Sequence, residues 1–339
     1  MALELVDKWI WDSWYVFDGE RYHAFYLHAS RALGDPDRRH RNPIVGHAVS
    51  DDLTNWTVVR DALAVSDDPA AFDSWTTWTG SVVRGDDGLW WMFYTGTSRA
   101  DGGDIQSVGA ATSPDLMVWT KLSSDALVRA DATWYEQLNQ PEWHDQAWRD
   151  PWVFRFPQGV TTGAAAIGVP EGKDPSQVWH MLVTARAKDG GPVRTRGVVG
   201  HATSLNLADW TVQPPLSEPN QGFGQQEVFQ FEVVDGVPVL FFCCGWRELS
   251  PERLESFGHR DATYSLSVNP DLTGIDFNRA RAFEHRLVYA ARLIQGRDGG
   301  WNVIGFDNID ENGEFMGRLC DPIPVTATAE LGVVAKADI

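Results

Sequence analysis

Cysteine is scarce in this chain: its 339 residues include only Cys243, Cys244 and Cys320. An odd number of cysteines without metal-type spacing argues against a disulfide framework and against a zinc site. The nine histidines show no metal-ligand spacing either. We therefore expect no metal and no other cofactor.

Basic residues are the second shortage. Lys and Arg number 28 against 47 Asp and Glu, which gives a formal net charge of −19 at pH 7. Because nucleic acids require clustered Lys and Arg to neutralise their phosphates, we expect no nucleic-acid partner. Neutral saccharides need no such attraction and are compatible with an acidic chain.

Long apolar runs are also missing. No stretch approaches the ~18 uninterrupted apolar residues of a membrane span, so no membrane partner is expected. Residues 1–8 lack the basic start and apolar run of a signal peptide. No Gly/Pro-rich segment separates domains, and we expect one cytoplasmic catalytic domain spanning residues 1–339.

Turn residues and tryptophan are abundant, with 31 Gly, 18 Pro and 17 Trp. Five apolar strand runs recur along the chain, and most follow an Asp-Gly turn typical of a β-hairpin. A spacing of roughly 70 residues suits a four-stranded blade with loops, so five hairpins predict an all-β, five-bladed β-propeller. The runs are 22–27, 89–94, 179–183, 237–242 and 301–306.

A second repeat supports the blades. Residues 46–56, 109–119 and 200–210 align without a gap, and each has a small-residue strand, a Ser/Asp turn, a Leu and a Trp. Residues 264–272 form a weaker fourth copy. We expect the Leu and Trp of each copy to pack between blades.

Three carboxylates stand in unusual settings: Asp12 in Trp-Asp-Ser-Trp, Asp150 in Arg-Asp-Pro and Glu227 in Gln-Gln-Glu-Val. In a propeller the first strand of each blade lines the central channel. Asp12 and Glu227 each precede a hairpin run by the same ten-residue interval. We predict that all three acids share one pocket, where two carboxyls suffice to cleave a glycosidic bond and a third can hold sugar hydroxyls.

These motifs resemble the glycoside hydrolases of families 32 and 68, the invertase, levanase and levansucrase group, and the resemblance spans nearly the whole chain. Arg149-Asp150-Pro151 is the most specific match, and Trp11-Asp12-Ser13-Trp14 looks like the nucleophile motif of the levansucrase group. Other segments similar to the family are 46–53, 78–81, 227–231 and 289–292.

The chain also departs from the family pattern. The invertase Asn-Asp-Pro-Asn-Gly signature is absent at Asp12, and Val228 replaces the Cys that normally follows the acid. The C-terminal β-sandwich usual in family 32 is not expected, which leaves a catalytic propeller. These departures weaken a plain invertase assignment and leave the choice of substrate open.

The resemblance implies that Asp12 attacks the anomeric carbon, that Glu227 acts as acid and then as base, and that Asp150 binds hydroxyls of the oxocarbenium-like sugar. A retaining mechanism places the carboxyls of Asp12 and Glu227 ~5 to 5.5 Å apart. Arg149 is expected to anchor Asp150 or a sugar hydroxyl.

Four further residues are candidate sugar contacts: Trp11, Trp14, Trp78 and Ser81. Core packing is the alternative for each Trp. The lettering around Asp12 recurs in Phe-Asp-Ser-Trp around Asp73, which we interpret as a loop residue.

The function predicted from these features is a retaining β-fructofuranosidase that hydrolyses sucrose or small fructo-oligosaccharides, with fructosyl transfer as a second outcome. One alternative is an inverting arabinofuranosidase or xylosidase of family 43, in which the carboxyls lie ~6.5 to 9.5 Å apart. The other is a sugar-binding propeller without turnover. The oligomeric state is left open.

Overall fold

The computed structural model describes residues 3–138, 143–160, 167–285, 288–310 and 312–338, and most regular structure in these ranges is β-strand. The strands form five antiparallel sheets. The first strands of successive sheets contact one another in a closed ring that returns from the fifth sheet to the first. The predicted all-β fold and five-bladed propeller are confirmed.

Blades 1 to 4 have four strands each, and strands adjacent in sequence are adjacent in the sheet. Blade 1 contains β1 (Lys8–Phe17), β2 (Tyr22–Ser30), β3 (Ile44–Ser50) and β4 (Trp56–Val58). Blade 2 contains β5 (Thr76–Arg84), β6 (Trp90–Thr97), β7 (Gln106–Ser113) and β8 (Thr120–Lys121). Blade 3 contains β9 (Trp148–Phe154), β10 (Trp179–Arg186), β11 (Gly197–Ser204) and β12 (Trp210–Gln213). Blade 4 contains β13 (Glu227–Val234), β14 (Val237–Cys244), β15 (Ala262–Ser267) and β16 (Arg281–Ala282).

Blade 5 has an additional strand, β19, which pairs with β18 outside the main strand order. Its strands are β17 (Val288–Gln295), β18 (Trp301–Ile309), β19 (Phe315–Leu319), β20 (Ile323–Thr328) and β21 (Gly332–Ala335). Within the described ranges the α-helical structure is α1 (Pro251–Phe257), which has about two turns. Short 3-10 helices lie at Arg31–Leu33, Pro36–Arg41, Pro175–Gln177, Val193–Thr195, Trp246–Glu248, Phe277–Arg279 and Lys336–Asp338. None of these helices is long and apolar enough to cross a membrane.

The five predicted hairpin runs correspond to the second strands of the blades, β2, β6, β10, β14 and β18. In the turn before β2, the Asp18 carboxylate accepts the backbone N–H groups of Glu20 and Arg21, each at 2.7 Å, and Gly19 has a φ of 104°. Glycine adopts such a φ without steric cost. The Asp-Gly turn therefore fixes the hairpin that the sequence indicates.

The second repeat corresponds to the third strands β3, β7 and β11 and to the turns that follow them. The Leu of each turn is left-handed, with φ values of 64° for Leu53, 65° for Leu116 and 68° for Leu207. The Trp three residues later donates its indole N–H to the carbonyl of that Leu, at 3.0, 3.0 and 2.8 Å respectively. The repeated residues thus form the same turn in each blade, closed by a hydrogen bond from the indole N–H.

Two of these tryptophans pack between blades. Trp119 lies edge-on to Phe25 of blade 1, with ring centroids 5.6 Å apart, and Trp210 lies edge-on to Phe93 of blade 2 at 5.5 Å. Such edge-to-face pairs add to the stabilisation that comes from burial. Trp56 instead contacts an aromatic ring of its own blade. The predicted interblade packing is confirmed for Trp119 and Trp210.

Candidate active site

Every innermost strand is interrupted by a β-bulge, at which extra residues stand opposite the second strand of the blade. A bulge leaves the hydrogen-bonding ladder and redirects a side chain. Asp150, Val228 and Ala290 lie in three of the bulges and have positive φ values of 58°, 56° and 44°. The bulged positions are Trp11-Asp12, Thr79, Asp150-Pro151, Val228-Phe229 and Ala290-Ala291.

A pocket of about 380 Å³ lies where the bulges of blades 1 to 4 meet, and it is lined by Asp12, Asp150 and Glu227. Three other residues predicted from the sequence to bind substrate, Trp11, Trp78 and Arg149, also line it. The prediction that the three acids share one pocket is therefore confirmed. Their catalytic roles stay predictions.

Asp12 lies on the inner strand of blade 1 and is partly buried. The Thr79 hydroxyl, from the bulge of blade 2, donates a hydrogen bond to Asp12 Oδ2. Burial raises the pKa of Asp12 to about 6; the Thr79 bond opposes this rise, and the charge of Glu227 adds to it. At pH 7 most molecules still carry an ionised Asp12, which is the form a nucleophile needs.

Asp150 is held by three neighbours from different strands. Its backbone N–H donates to Thr95 Oγ1 at 2.8 Å, its Oδ2 accepts from Thr184 Oγ1 at 2.9 Å, and Arg149 Nε lies 3.4 Å from the same oxygen. Burial raises the pKa of Asp150 to about 7, against the effect of the Arg149 guanidinium and with a contribution from Glu227. Among the described residues no hydrogen bond engages the other carboxylate oxygen, Oδ1.

Glu227 is partly buried, with a side chain 20% exposed. Arg149 Nη2 donates to its Oε1 at 2.6 Å, and the Tyr289 hydroxyl donates to its Oε2. Arg149 is itself fixed by Gln106, whose Oε1 accepts from Nη1 at 3.0 Å. Burial opposes the charged form of Arg149, yet the carboxylates of Glu227 and Asp150 hold its pKa above the ordinary value.

Glu248 is a further partly buried carboxyl in the pocket wall, and sequence reasoning missed it. Gln225 Nε2 donates to its Oε1 at 2.5 Å, whereas its Oε2 has no hydrogen-bond partner within the described ranges. Burial raises the pKa of Glu248 to about 8, and the charge of Glu227 adds to the rise. Glu248 lies on a 3-10 helix after β14 and belongs to no repeat, so no signal identified it.

Arg292 connects three blades beneath the pocket. Its Nη1 donates to the carbonyls of Val228, at 3.3 Å, and Phe229, and its Nη2 lies 3.3 Å from the carbonyl of Gly80. These acceptors lie in or next to the bulges of blades 4 and 2. The Tyr-Ala-Ala-Arg segment was recognised in the sequence, but this structural role requires the ring.

The predictions for Trp14 and Ser81 are wrong, because neither residue lines the pocket. Trp14 is fully buried and packs on Phe25, with ring centroids 6.3 Å apart. The Ser81 hydroxyl accepts the backbone N–H of Val153 in blade 3 at 3.1 Å. Both residues lie beyond the bulge of their strand, where the regular ladder resumes and side chains alternate into the blades.

Among the described residues, the side chains that could bind a metal ion are not grouped as a metal site requires. In the part of the chain that the structure describes, no group of three or more His, Cys, Asp and Glu side chains is arranged to hold one. The pocket carboxylates are instead engaged by Thr79, Arg149, Thr184 and Tyr289. We assign no cofactor site.

Residues 12–181, half of the chain, match the family model described as the glycosyl hydrolases family 32 N-terminal domain. The chain belongs to glycosyl hydrolase family 32. This matched region contains Asp12 and Asp150, and it favours family 32 over the family 43 alternative.

Curated relatives of this family 32 chain include a fructosyltransferase and β-fructofuranosidases. It is 31% identical over 232 residues to a 6(G)-fructosyltransferase of Asparagus officinalis, with 65% of this chain and 31% of that protein covered. It is 29% identical over 309 residues to an insoluble isoenzyme of β-fructofuranosidase from Arabidopsis thaliana, with 86% and 50% covered. The chain thus spans half the length, or less, of the curated relatives it matches.

Two solved structures show the same fold over nearly the whole chain. The inulosucrase from Halalkalicoccus jeotgali bound to kestose has a TM-score of 0.72 at 19% identity, with 97% of this chain and 87% of that chain covered. The levansucrase from Gluconacetobacter diazotrophicus has a TM-score of 0.68 at 16% identity, with 98% and 81% covered. At these identities the likeness establishes the propeller fold.

Proposed function

We propose that this family 32 chain is a retaining β-fructofuranosidase, with Asp12 as nucleophile, Glu227 as acid and base, and Asp150 as stabiliser of the transition state. The observation that carries the proposal is the presence of these three acids in one pocket, on the inner strands of three blades. Family membership supports it, because the Arg-Asp-Pro motif lies inside the matched region.

The first chemical step forms a bond between an Asp12 carboxylate oxygen and the anomeric carbon of the fructosyl unit. The bond from that carbon to the leaving oxygen breaks, and Glu227 gives its proton to that oxygen. Arg149 and Tyr289 hold the Glu227 carboxyl, so its position is set before substrate arrives. Asp150 accepts hydrogen bonds from hydroxyl groups of the sugar, and its carboxylate stabilises the positive charge that develops on the ring.

The second step releases the sugar from Asp12. Glu227 takes a proton from water, the water oxygen attacks the anomeric carbon, and the ester bond to Asp12 breaks. Two inversions at one carbon retain its configuration. When a sugar hydroxyl takes the place of water, the same step transfers the fructosyl unit.

Sucrose and small fructo-oligosaccharides are the proposed substrates. Relatives of the chain carry the names β-fructofuranosidase and sucrose-6-phosphate hydrolase, and the inulosucrase with the same fold was solved with kestose. A volume of about 380 Å³ accommodates a small saccharide. The predicted Asp12–Glu227 separation of ~5 to 5.5 Å stays a prediction.

The test is incubation of the purified protein with sucrose and with 1-kestose, followed by separate assays of glucose and fructose. Equal release from sucrose indicates hydrolysis, and an excess of glucose indicates transfer. The anomeric form of the first fructose released, recorded by NMR within the first minutes, is expected to be β. Absence of turnover on sucrose, 1-kestose, inulin and levan, or release of the α-anomer, contradicts the proposal.

A further inference from the structure

Arg186 ends β10 in blade 3 and lies behind the pocket wall, with 1% of its side chain exposed. Its Nε donates to Glu136 Oε2 at 2.6 Å, and its Nη1 donates to the carbonyl oxygen of Gly224. Its guanidinium carbon lies 3.7 Å from the centre of the Trp143 ring. One buried cation therefore joins Glu136 and Trp143, which are seven residues apart, to the distant segment that contains Gly224.

Both parts of the chain run directly into the pocket. Gly224 precedes Gln225 and Glu227, both of which line the pocket. Trp143 precedes His144 and Asp145, which line it as well. Arg186 does not touch the pocket, so any influence on the reaction passes through the backbone of these neighbours.

Gly224 is confined on several sides. Its N–H donates to the carbonyl of Glu248 at 2.7 Å, and an added Cβ would lie 2.9 Å from that carbonyl oxygen and 2.9 Å from the Trp143 ring. Arg186 takes the carbonyl oxygen of the same residue. The backbone three residues before Glu227 is thereby fixed at its N–H, at its Cα and at its carbonyl.

The acid that protonates a leaving oxygen must stand within hydrogen-bond reach of it, and a displacement of about 1 Å costs roughly a hundredfold in rate. Holding the Gly-Gln-Gln-Glu segment sets where β13 begins and so where the Glu227 carboxyl lies. A lysine keeps the charge of Arg186 but lacks the planar fork that reaches Glu136 and Gly224 together.

We propose that Arg186 is a positioning residue for Glu227: it clamps Gly224 against Trp143 and Glu136 so that Glu227 meets the leaving oxygen. This role rests on the proposed function of Glu227 as the acid. It predicts that loss of the clamp impairs proton donation more than it impairs binding or attack by Asp12.

The experiment compares kcat/KM for sucrose with kcat/KM for 4-nitrophenyl β-D-fructofuranoside, whose leaving group needs little protonation. Arg186→Lys and Glu136→Gln are measured beside the wild type. The matched control is Arg155→Lys: Arg155 also pairs with a carboxylate, Asp86 at 2.5 Å, and stacks on a tryptophan, Trp179 at 4.0 Å, but lies outside the pocket wall. Amide hydrogen exchange over residues 223–228 is recorded for each variant.

For Arg186→Lys we expect kcat/KM on sucrose to fall at least tenfold and kcat/KM on the aryl fructoside to fall less than threefold. Exchange over 223–228 should quicken, Glu136→Gln should show a smaller effect in the same direction, and Arg155→Lys should match the wild type. Equal losses on both substrates, or unchanged exchange with unchanged activity, overturn the clamp. A wild type inactive on both substrates overturns the proposed function and the clamp with it.

Discussion

The outer turns and the inner bulges of the propeller both recur from blade to blade. The turns repeat a set of residues, whereas the bulges repeat a backbone shape. The turns after β3, β7 and β11 share their letters, their left-handed Leu and their indole hydrogen bond. The inner bulges share only a backbone irregularity, and the residues in them differ from blade to blade. The repeated residues of the turns thus stabilise the blades, and the repeated bulges position the side chains of the pocket.

A physical reason separates the two regions. Each outer turn makes the same local hydrogen bond between an indole and a left-handed Leu, and two of the three also place the Trp against another blade, so one set of residues suits every copy. The inner bulges meet at one pocket, and a reaction needs different groups around the same atom. Blade 1 therefore supplies Asp12, blade 2 Thr79, blade 3 Asp150, and blades 4 and 5 supply Glu227 and its partner Tyr289.

Replacement of the acid in the blade 1 bulge tests this division most severely. Asp12→Asn should lower kcat on sucrose by about 10⁴-fold or more, because an amide cannot form the covalent intermediate. Initial rates with purified, folded variant provide the measurement. Activity within tenfold of the wild type would contradict the assignment of Asp12.

Asp73→Asn is the matched control, since Asp73 has the same Asp-Ser-Trp lettering outside the pocket. The Asp73 carboxylate accepts from the Tyr94 hydroxyl at 2.9 Å and from Lys121 at 2.5 Å. The asparagine leaves Lys121 without its charge partner and should cost stability. Its kcat on sucrose should stay within about twofold of the wild type.

The pH dependence of stability should also distinguish the pocket from the rest of the fold. Burial raises the pKa of Asp12 from 3.8 to about 6. Between these values the folded protein binds a proton that the unfolded chain has released, so this stabilisation is complete below pH 4 and is lost as pH rises to about 6. At pH 7.5 Asp12→Asn should therefore unfold with a free energy about 2 to 3 kcal/mol higher than the wild type.

Chemical denaturation at pH 4 and at pH 7.5 measures this difference. The gain of the asparagine variant should be present at the higher pH and small at the lower pH. A variant less stable than the wild type at pH 7.5 would show that ionised Asp12 is stabilised by its neighbours. That result would contradict the raised pKa.

Substitutions in the outer turns should lower the stability of the fold and leave the activity of the folded protein unchanged. Trp119→Ala removes the edge contact with Phe25 and the hydrogen bond to the Leu116 carbonyl, and it should destabilise the fold by about 2 kcal/mol. Trp119→Phe keeps a ring and should cost about 1 kcal/mol, mainly for the lost hydrogen bond. The kcat of the folded fraction should equal that of the wild type, and a tenfold loss would contradict the division between the regions.

The sequence predicted those features that each blade encodes locally. Asp-Gly turns identify the hairpins, and the aligned Leu and Trp identify the outer turns, because both depend on contacts within a few residues. The three acids were found through their family-like settings, and Asp12 and Glu227 also through their equivalent blade positions. Local lettering alone is not sufficient, since Asp73 shares it with Asp12.

Features that require ring closure were not predictable from the sequence. Thr79, Tyr289 and Arg292 act on residues of other blades, and no periodicity marks such partners. Glu248 lies in an irregular segment without a repeat. The prediction that Trp14 and Ser81 contact the sugar was wrong because a bulge changes which residues of a strand face the axis. No sequence pattern marked the bulges.

The bulge in β1 gives the finest test, because Trp11 lies in it and Trp14 lies beyond it. Trp11 lines the pocket beside Asp12, so Trp11→Phe should raise KM for sucrose several-fold through lost contact with the sugar. Trp14→Phe should leave KM unchanged, because Trp14 is fully buried against Phe25.

The indole nitrogen of Trp14 is buried without a hydrogen-bond partner among the described residues, so the smaller ring removes an unsatisfied donor while it loses some packing. The stability change should be about 1 kcal/mol or less, measured by denaturation beside the kinetics. A KM that rises for Trp14→Phe and not for Trp11→Phe would mean that the register across this bulge is shifted.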